Sequence, residues 1–127
     1  MPEVGACDDT GANTNPERWL HENHWDCLEV TINAAGAAGQ QNLGNPVAAG
    51  ATRRIREITV RHAGTNNTVV TLLDATGNRL TFDVPAQTSR TWSSQDGREF
   101  VAGAQPIVQS SDVTGGNTFV SASGVEF

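Results

Sequence analysis

RIREITVRHA-GTNN-TVVTLLD-ATGN-RLTFDV, residues Arg54–Val84, is the stretch on which the fold turns. Three runs rich in apolar and β-branched residues are separated by two short polar turns. In the first run Ile58, Val60 and His62 share one face. In the third, Leu80, Phe82 and Val84 alternate with Arg79, Thr81 and Asp83, which is the period of a half-buried strand. Gly64–Asn67 and Ala75–Asn78 carry the Gly and Asn of tight turns. The same texture extends outward. Cys27–Asn33 sets Leu28, Val30 and Ile32 against Glu29 and Thr31, and Thr88–Ser93 carries Trp92. Gln95-Asp96-Gly97 reads as another turn before Phe100, and Gln105–Ser110 and Thr118–Ala122 close the series. Strands recurring at roughly 8–12-residue spacing predict an all-β fold, either an antiparallel β-sandwich or a jelly-roll-like small barrel. The crossover helices of a parallel sheet are missing from the pattern. The expected core is Ile58, Val60, Val70, Leu72, Leu80, Phe82, Val84, Trp92, Phe100, Ile107 and Phe119.

The chain has 127 residues, one domain's worth. Its apolar fraction of 37%, with 13 Gly besides, is too high for whole-chain disorder. A net charge of −6 lacks the basic footprint of a nucleic-acid binder. No apolar run is long enough for a membrane-spanning helix. Met1–Thr10 has neither the basic start nor the apolar stretch of a secretory signal, so we expect a soluble protein that starts in a cytosol. All eight basic residues are Arg. Genome base composition produces that bias, and so does the use of Arg at packed contacts, where its planar fork pairs in better order than Lys.

Charge divides the chain. Met1–Glu29 holds Glu3, Asp8, Asp9, Glu17, Glu22, Asp26 and Glu29 against Arg18 alone, whereas Val30–Phe127 balances seven acids with seven Arg. Residues 1–26 therefore read as an acidic N-terminal arm, and 27–127 as the β domain. Within the arm, Asn15-Pro16-Glu17-Arg18 is a helix start, predicting a short helix over Pro16–His24 with Trp19 and Trp25 as apolar anchors. Residues 34–50 (AAGAAGQQNLGNPVAAG) read as a long Ala/Gly loop, too bland for a core element and available to lie against another subunit.

One cluster invites chemistry: Cys7, His21, His24 and Cys27. His21 and His24 would share a helical face, and four Cys/His donors suit tetrahedral zinc. The spacing matches no standard finger, and the second His comes one residue early for H-E-x-x-H. A Cys7–Cys27 disulfide, closing a loop of about 20 residues, is a second reading. Unpaired thiols beside exposed imidazoles are a third, and all three stand. His62 reads as a core or rim histidine, since no G-x-S-x-G elbow accompanies it. Arg53, Arg54 and Arg56 form the one basic cluster, expected to face water and guard a sheet edge.

The segments ATRRIREITVRHAG-TNNTVVTLLDATG, LTFDVPAQTSRTW and REFVAGAQPIVQSS…FVSASGVEF, about three-fifths of the chain, resemble bacteriophage head decoration proteins of sandwich or jelly-roll type. The resemblance lies in strand order and turn texture and carries no catalytic set. It implies a structural virion protein, without enzymatic activity or cofactor. Such a protein would be assembled in the host cytoplasm and bound to the capsid exterior. Its partner would be the major capsid protein, and it would cluster as a homotrimer. An N-terminal arm would help to hold neighbouring subunits together. Trp19, Trp25, Arg53 and Arg54 are the candidate partner contacts. Two other functions fit the pattern: a tail, neck or fibre component, and a carbohydrate-binding module stacking glycans on an exposed Trp.

Overall fold

The computed structural model describes residues 24–127. These form strands β1 (His24–Ile32), β2 (Gln41–Asn42), β3 (Arg53–His62), β4 (Thr68–Asp74), β5 (Gly77–Val84), β6 (Thr88–Phe100), β7 (Ile107–Ser110) and β8 (Thr118–Glu126). Two antiparallel four-stranded sheets result, ordered β1-β8-β3-β6 and β2-β7-β4-β5. The pairing is nested: β1 lies on β8, β2 on β7, β3 on β6 and β4 on β5. The chain is thus one long hairpin, folded over so that β3 also meets β8 and β4 also meets β7. The sheets stay open and face each other, so the architecture is a sandwich and not a closed barrel. The expected helix over Pro16–His24 lies outside the described residues except for His24, which opens β1. No described helix is long and apolar enough to cross a membrane.

Alternation places the core as expected for Ile58, Val60, Val70, Leu72, Val84 and Phe100, all buried, with Leu80, Phe82 and Trp92 packed at its margin. Ile107 and Phe119 point outward instead, each paired with an outward residue of the neighbouring strand (Leu73 and Arg61). Leu28 is exposed because β1 bulges between Cys27 and Val30. The bulge shifts the alternation by one residue, so Trp25 and Cys27 face inward. The turn expected at Gln95-Asp96-Gly97 is a wide bulge inside one strand. Arg98 pairs with Ile55 and Ser93 with Glu57, leaving Ser94–Gly97 opposite Arg56. Gly97 has φ +70°, and a Cβ there would lie 2.6 Å from the Ile55 carbonyl oxygen.

The Ala/Gly loop, expected to be too bland for a core element, contributes to the core. It makes a 3-10 turn at Gly36–Gly39, adds β2, and buries Leu43 and Val47 in the chain's own core. Val47 is tied by backbone hydrogen bonds to Ala104 and Gly103. The loop closes the side of the sandwich that the two-residue β2 leaves uncovered.

Arg53 does not face water, and β3 is not an edge. The strand is flanked by β6 and β8, and Arg53 is wholly buried. Its Nε donates to Glu126 Oε1 at 2.6 Å, and its Nη1 donates to the Asn45 carbonyl at 2.7 Å. Its guanidinium sits 4.5 Å from the Trp25 ring centroid. Gly44, at φ +85°, lets the loop approach the indole, since a Cβ there would meet Trp25 Cζ2 at 2.8 Å. Removing one partner of such a pair strands the other without water. Arg53→Ala should therefore cost roughly 3 kcal/mol or more in chemical denaturation. Arg54→Ala, which breaks a solvent-facing pair with Glu99, should cost under about 1 kcal/mol.

Candidate functional site

Of the residues expected to form a metal site, the two that are described do not converge. Cys7 and His21 lie outside the described residues. His24 and Cys27 stand on opposite faces of β1: His24 is exposed, 3.2 Å from Asp26 Oδ2, and Cys27 is buried. A strand sends residues three apart to opposite faces. The Cys27 sulfur is disulfide-bonded, and a disulfide sulfur offers no thiolate to a metal. Among the described residues, no three His, Cys, Asp or Glu side chains gather as a cation site.

The expected partner contacts are also redistributed. Trp19 lies outside the described residues. Trp25 is 1% exposed and Arg53 0%, so both belong to the chain's own interior and neither presents a surface to a partner. Arg54 is half-buried on the outer face of its sheet, where Nη2 donates to Glu99 Oε1 and Nη1 to the Asp96 carbonyl.

At the opposite end of the sandwich from Arg53 lies a polar network that bridges the sheets. His62 is 1% exposed. Its Nε2 is 2.7 Å from the Asn66 carbonyl oxygen, which can only accept, so Nε2 carries a proton. Its Nδ1 is 2.9 Å from Thr118 Oγ1, and that hydroxyl is 3.0 Å from Ser110 Oγ. Ser110 in turn meets Thr68 Oγ1 and the Asp112 carbonyl. His62 and Thr118 belong to one sheet, Thr68 and Ser110 to the other. A His next to a row of hydroxyls has the makings of a nucleophile relay, but all four side chains are buried. The network is a clamp between sheets.

Asp112 sits where this network meets solvent. The Thr114 backbone N–H, donating at 2.8 Å, and then the Thr114 hydroxyl hold its carboxylate below the usual range. Desolvation opposes them more weakly, and the Asn66 amide and nearby His62 add still smaller effects in the lowering direction.

A third feature joins β5 to β6 across the open side of the sandwich, where no ladder runs. Arg98 Nε donates to the Arg79 carbonyl at 3.0 Å, Arg79 Nη2 to the Glu99 carbonyl at 2.7 Å, and Arg90 Nη1 to the Asp83 carbonyl at 2.9 Å. Arg98 also lies over Trp92, and Arg79 over Phe100. Lys has no fork with which to reach a carbonyl and cover a ring at once.

Sequence reading found the core position of His62 but not its partners. Their signal was present: Thr68, Ser110 and Thr118 are hydroxyl residues at strand ends, on the inward phase of the alternation. One groove beside the second sheet is lined by Leu73, Ala75, Val101, Ala104 and Ile107.

Replacing Thr118 by Val leaves His62 and Ser110 short of a partner and should cost about 1–3 kcal/mol in denaturant titration. Asp112, with its pKa lowered on folding, stabilises the fold above the ordinary carboxylate range, and that contribution is lost as pH falls through the lowered value. Asp112→Asn should therefore melt lower than the wild type at neutral pH and lose less on acidification below about pH 4, as read by thermal melts across pH. Compared with known proteins, the chain matches no family model and no curated sequence.

Proposed function

We propose that this chain is a structural, non-catalytic virion protein that binds the exterior of a phage capsid and stabilises it. The observation that carries the reading is the nested pairing of β1 with β8 through β4 with β5. Rolled into two facing sheets, that order is a jelly roll, a wrap used by viral capsid proteins and also by lectins and cupins. Clamps at both ends and an arginine seam suit a rigid body that contributes surface and shape. The acidic segment preceding β1 supplies an arm for neighbouring subunits. Stabilisation follows from linkage: a protein that binds the assembled shell and not its free subunits shifts the equilibrium toward the shell.

A glycan-binding role has less support. Sugar stacking needs an open aromatic face. Trp25 is buried, Trp92 is half-buried with the Arg98 guanidinium 5.1 Å from its ring centroid, and Arg61 covers Phe119 at 4.0 Å. A tail, neck or fibre position uses the same properties as a head position and is separated from it by location.

The test adds purified full-length chain to empty shells of the phage's major capsid protein. Saturable binding to the outer surface and a higher disruption temperature are expected. Unchanged shell stability at saturating chain overturns the proposal. Antibody labelling at the tail or neck of intact particles transfers the chain to that assembly.

A further inference from the structure

The buried network around His62 is one hydrogen short. A single chain of contacts joins two carbonyl oxygens, those of Asn66 and Asp112. It runs from the Asn66 carbonyl to His62 Nε2 at 2.7 Å, from Nδ1 to Thr118 Oγ1 at 2.9 Å, from there to Ser110 Oγ at 3.0 Å, and on to the Asp112 carbonyl at 3.2 Å. Each of these four contacts needs one hydrogen, and the carbonyls at the ends supply none. A neutral imidazole brings one, and the Thr118 and Ser110 hydroxyls bring one each, which makes three. Thr68 lends no fourth, because its hydroxyl meets Ser110 and Ser111 through separate contacts. With His62 neutral, Nε2 donates to Asn66, Thr118 donates to Nδ1, and Ser110 donates to Thr118. The contact then left without a hydrogen is Ser110 to Asp112, the longest of the chain.

We infer that His62 is a proton-operated switch inside the sandwich: it takes a second ring proton from solvent without leaving its buried position, and the Thr118 and Ser110 hydroxyls reverse direction to complete the chain. In that state Nδ1 donates to Thr118, Thr118 donates to Ser110, and Ser110 donates to the Asp112 carbonyl. Two hydroxyl rotations suffice, and no heavy atom has to move. Both ring contacts become charge-assisted, which makes each about twice as strong as its neutral counterpart. That gain and the added fourth contact work against the cost of burying a cation. The charges around the ring are placed to help. Its neighbours across the ladders, Thr88 on β6 and Thr118 on β8, carry none. Thr68 and Ser110, from the second sheet, carry none either. Arg90, further along β6, is turned to the Asp83 carbonyl, and Arg61, next to His62, pairs with Glu29 on the outer face. Among the described residues, the charge that faces the ring is the Asp112 carboxylate. Asn66 joins the two, since its carbonyl takes the Nε2 hydrogen and its amide donates to Asp112 Oδ2 at 3.3 Å. Acid therefore tightens the contact between sheets at this end of the molecule. The switch does not depend on shell binding: a chain that ignores capsids still has it.

Nitrogen NMR of the histidine rings tests it, recorded on the full-length chain from about pH 8 to about pH 5, the span in which an imidazole changes charge. The chain has three His, so His21→Gln and His24→Gln together leave His62 as the single reporter. Expected is a ring protonated at Nε2 alone at the upper end and at both nitrogens at the lower end. Both N–H groups should then exchange slowly with solvent, and the core signals should stay unchanged. A ring that keeps one proton throughout overturns the inference. So does a second proton that arrives only with fast exchange or with loss of the folded signals. Ser110→Ala removes the contact that lacks a hydrogen, so this variant should need a pH lower by roughly half a unit or more to take the second proton, the worth of one net hydrogen bond. Uptake at the same pH as in the parent chain overturns the inference as well, and if Ser110→Ala fails to fold, the ring spectra of the parent decide alone.

Discussion

Two sheets that share no hydrogen-bonded ladder are held together only by what crosses the gap between their side chains. In this protein three kinds of contact do so. The apolar core supplies most of the attraction but little direction. The polar contacts supply the register. At one end, Arg53, paired with Glu126 inside its own sheet, donates to the carbonyl of Asn45 in the loop that follows β2 of the other sheet. At the other, His62, Thr118, Ser110 and Thr68 run from sheet to sheet. Sliding one sheet over the other would pull Thr118 from Ser110 and Arg53 from Asn45, a cost that apolar side chains alone do not impose.

The same economy governs the edges. An open sandwich exposes strand edges that invite unwanted pairing. The β5–β6 side answers with arginines donating to backbone carbonyls, and the β1–β2 side with a loop whose Leu43 and Val47 are plugs. Such a body keeps its shape while its surfaces make contacts, as the proposed structural role requires.

The fold was legible because it rests on period-two alternation and on turn residues, both local. Leu80, Phe82 and Val84 show it directly. The failures came where partner strands decide the outcome. One bulge turned Leu28 outward and Trp25 inward, and no local pattern announces a bulge. Arg53 looked like a surface charge because burial of a guanidinium depends on Glu126, some seventy residues away. Leu43 and Val47 were hidden in a bland loop because two apolar residues make no period. The Cys7, His21, His24 and Cys27 set assumed a helix that would reach His24. The strand that begins there puts His24 and Cys27 on opposite faces, while Cys7 and His21 fall outside the described residues.

The claim that side chains lock the two sheets into one cooperative unit is tested most directly by native-state hydrogen exchange, resolved by residue. The account predicts that central amides of β3 and β8 and those of β4 and β7 open with one common free energy, equal to that of global unfolding. If β4 and β7 exchange through a cheaper opening while β3 and β8 stay protected, the sheets are separate units and the account is contradicted.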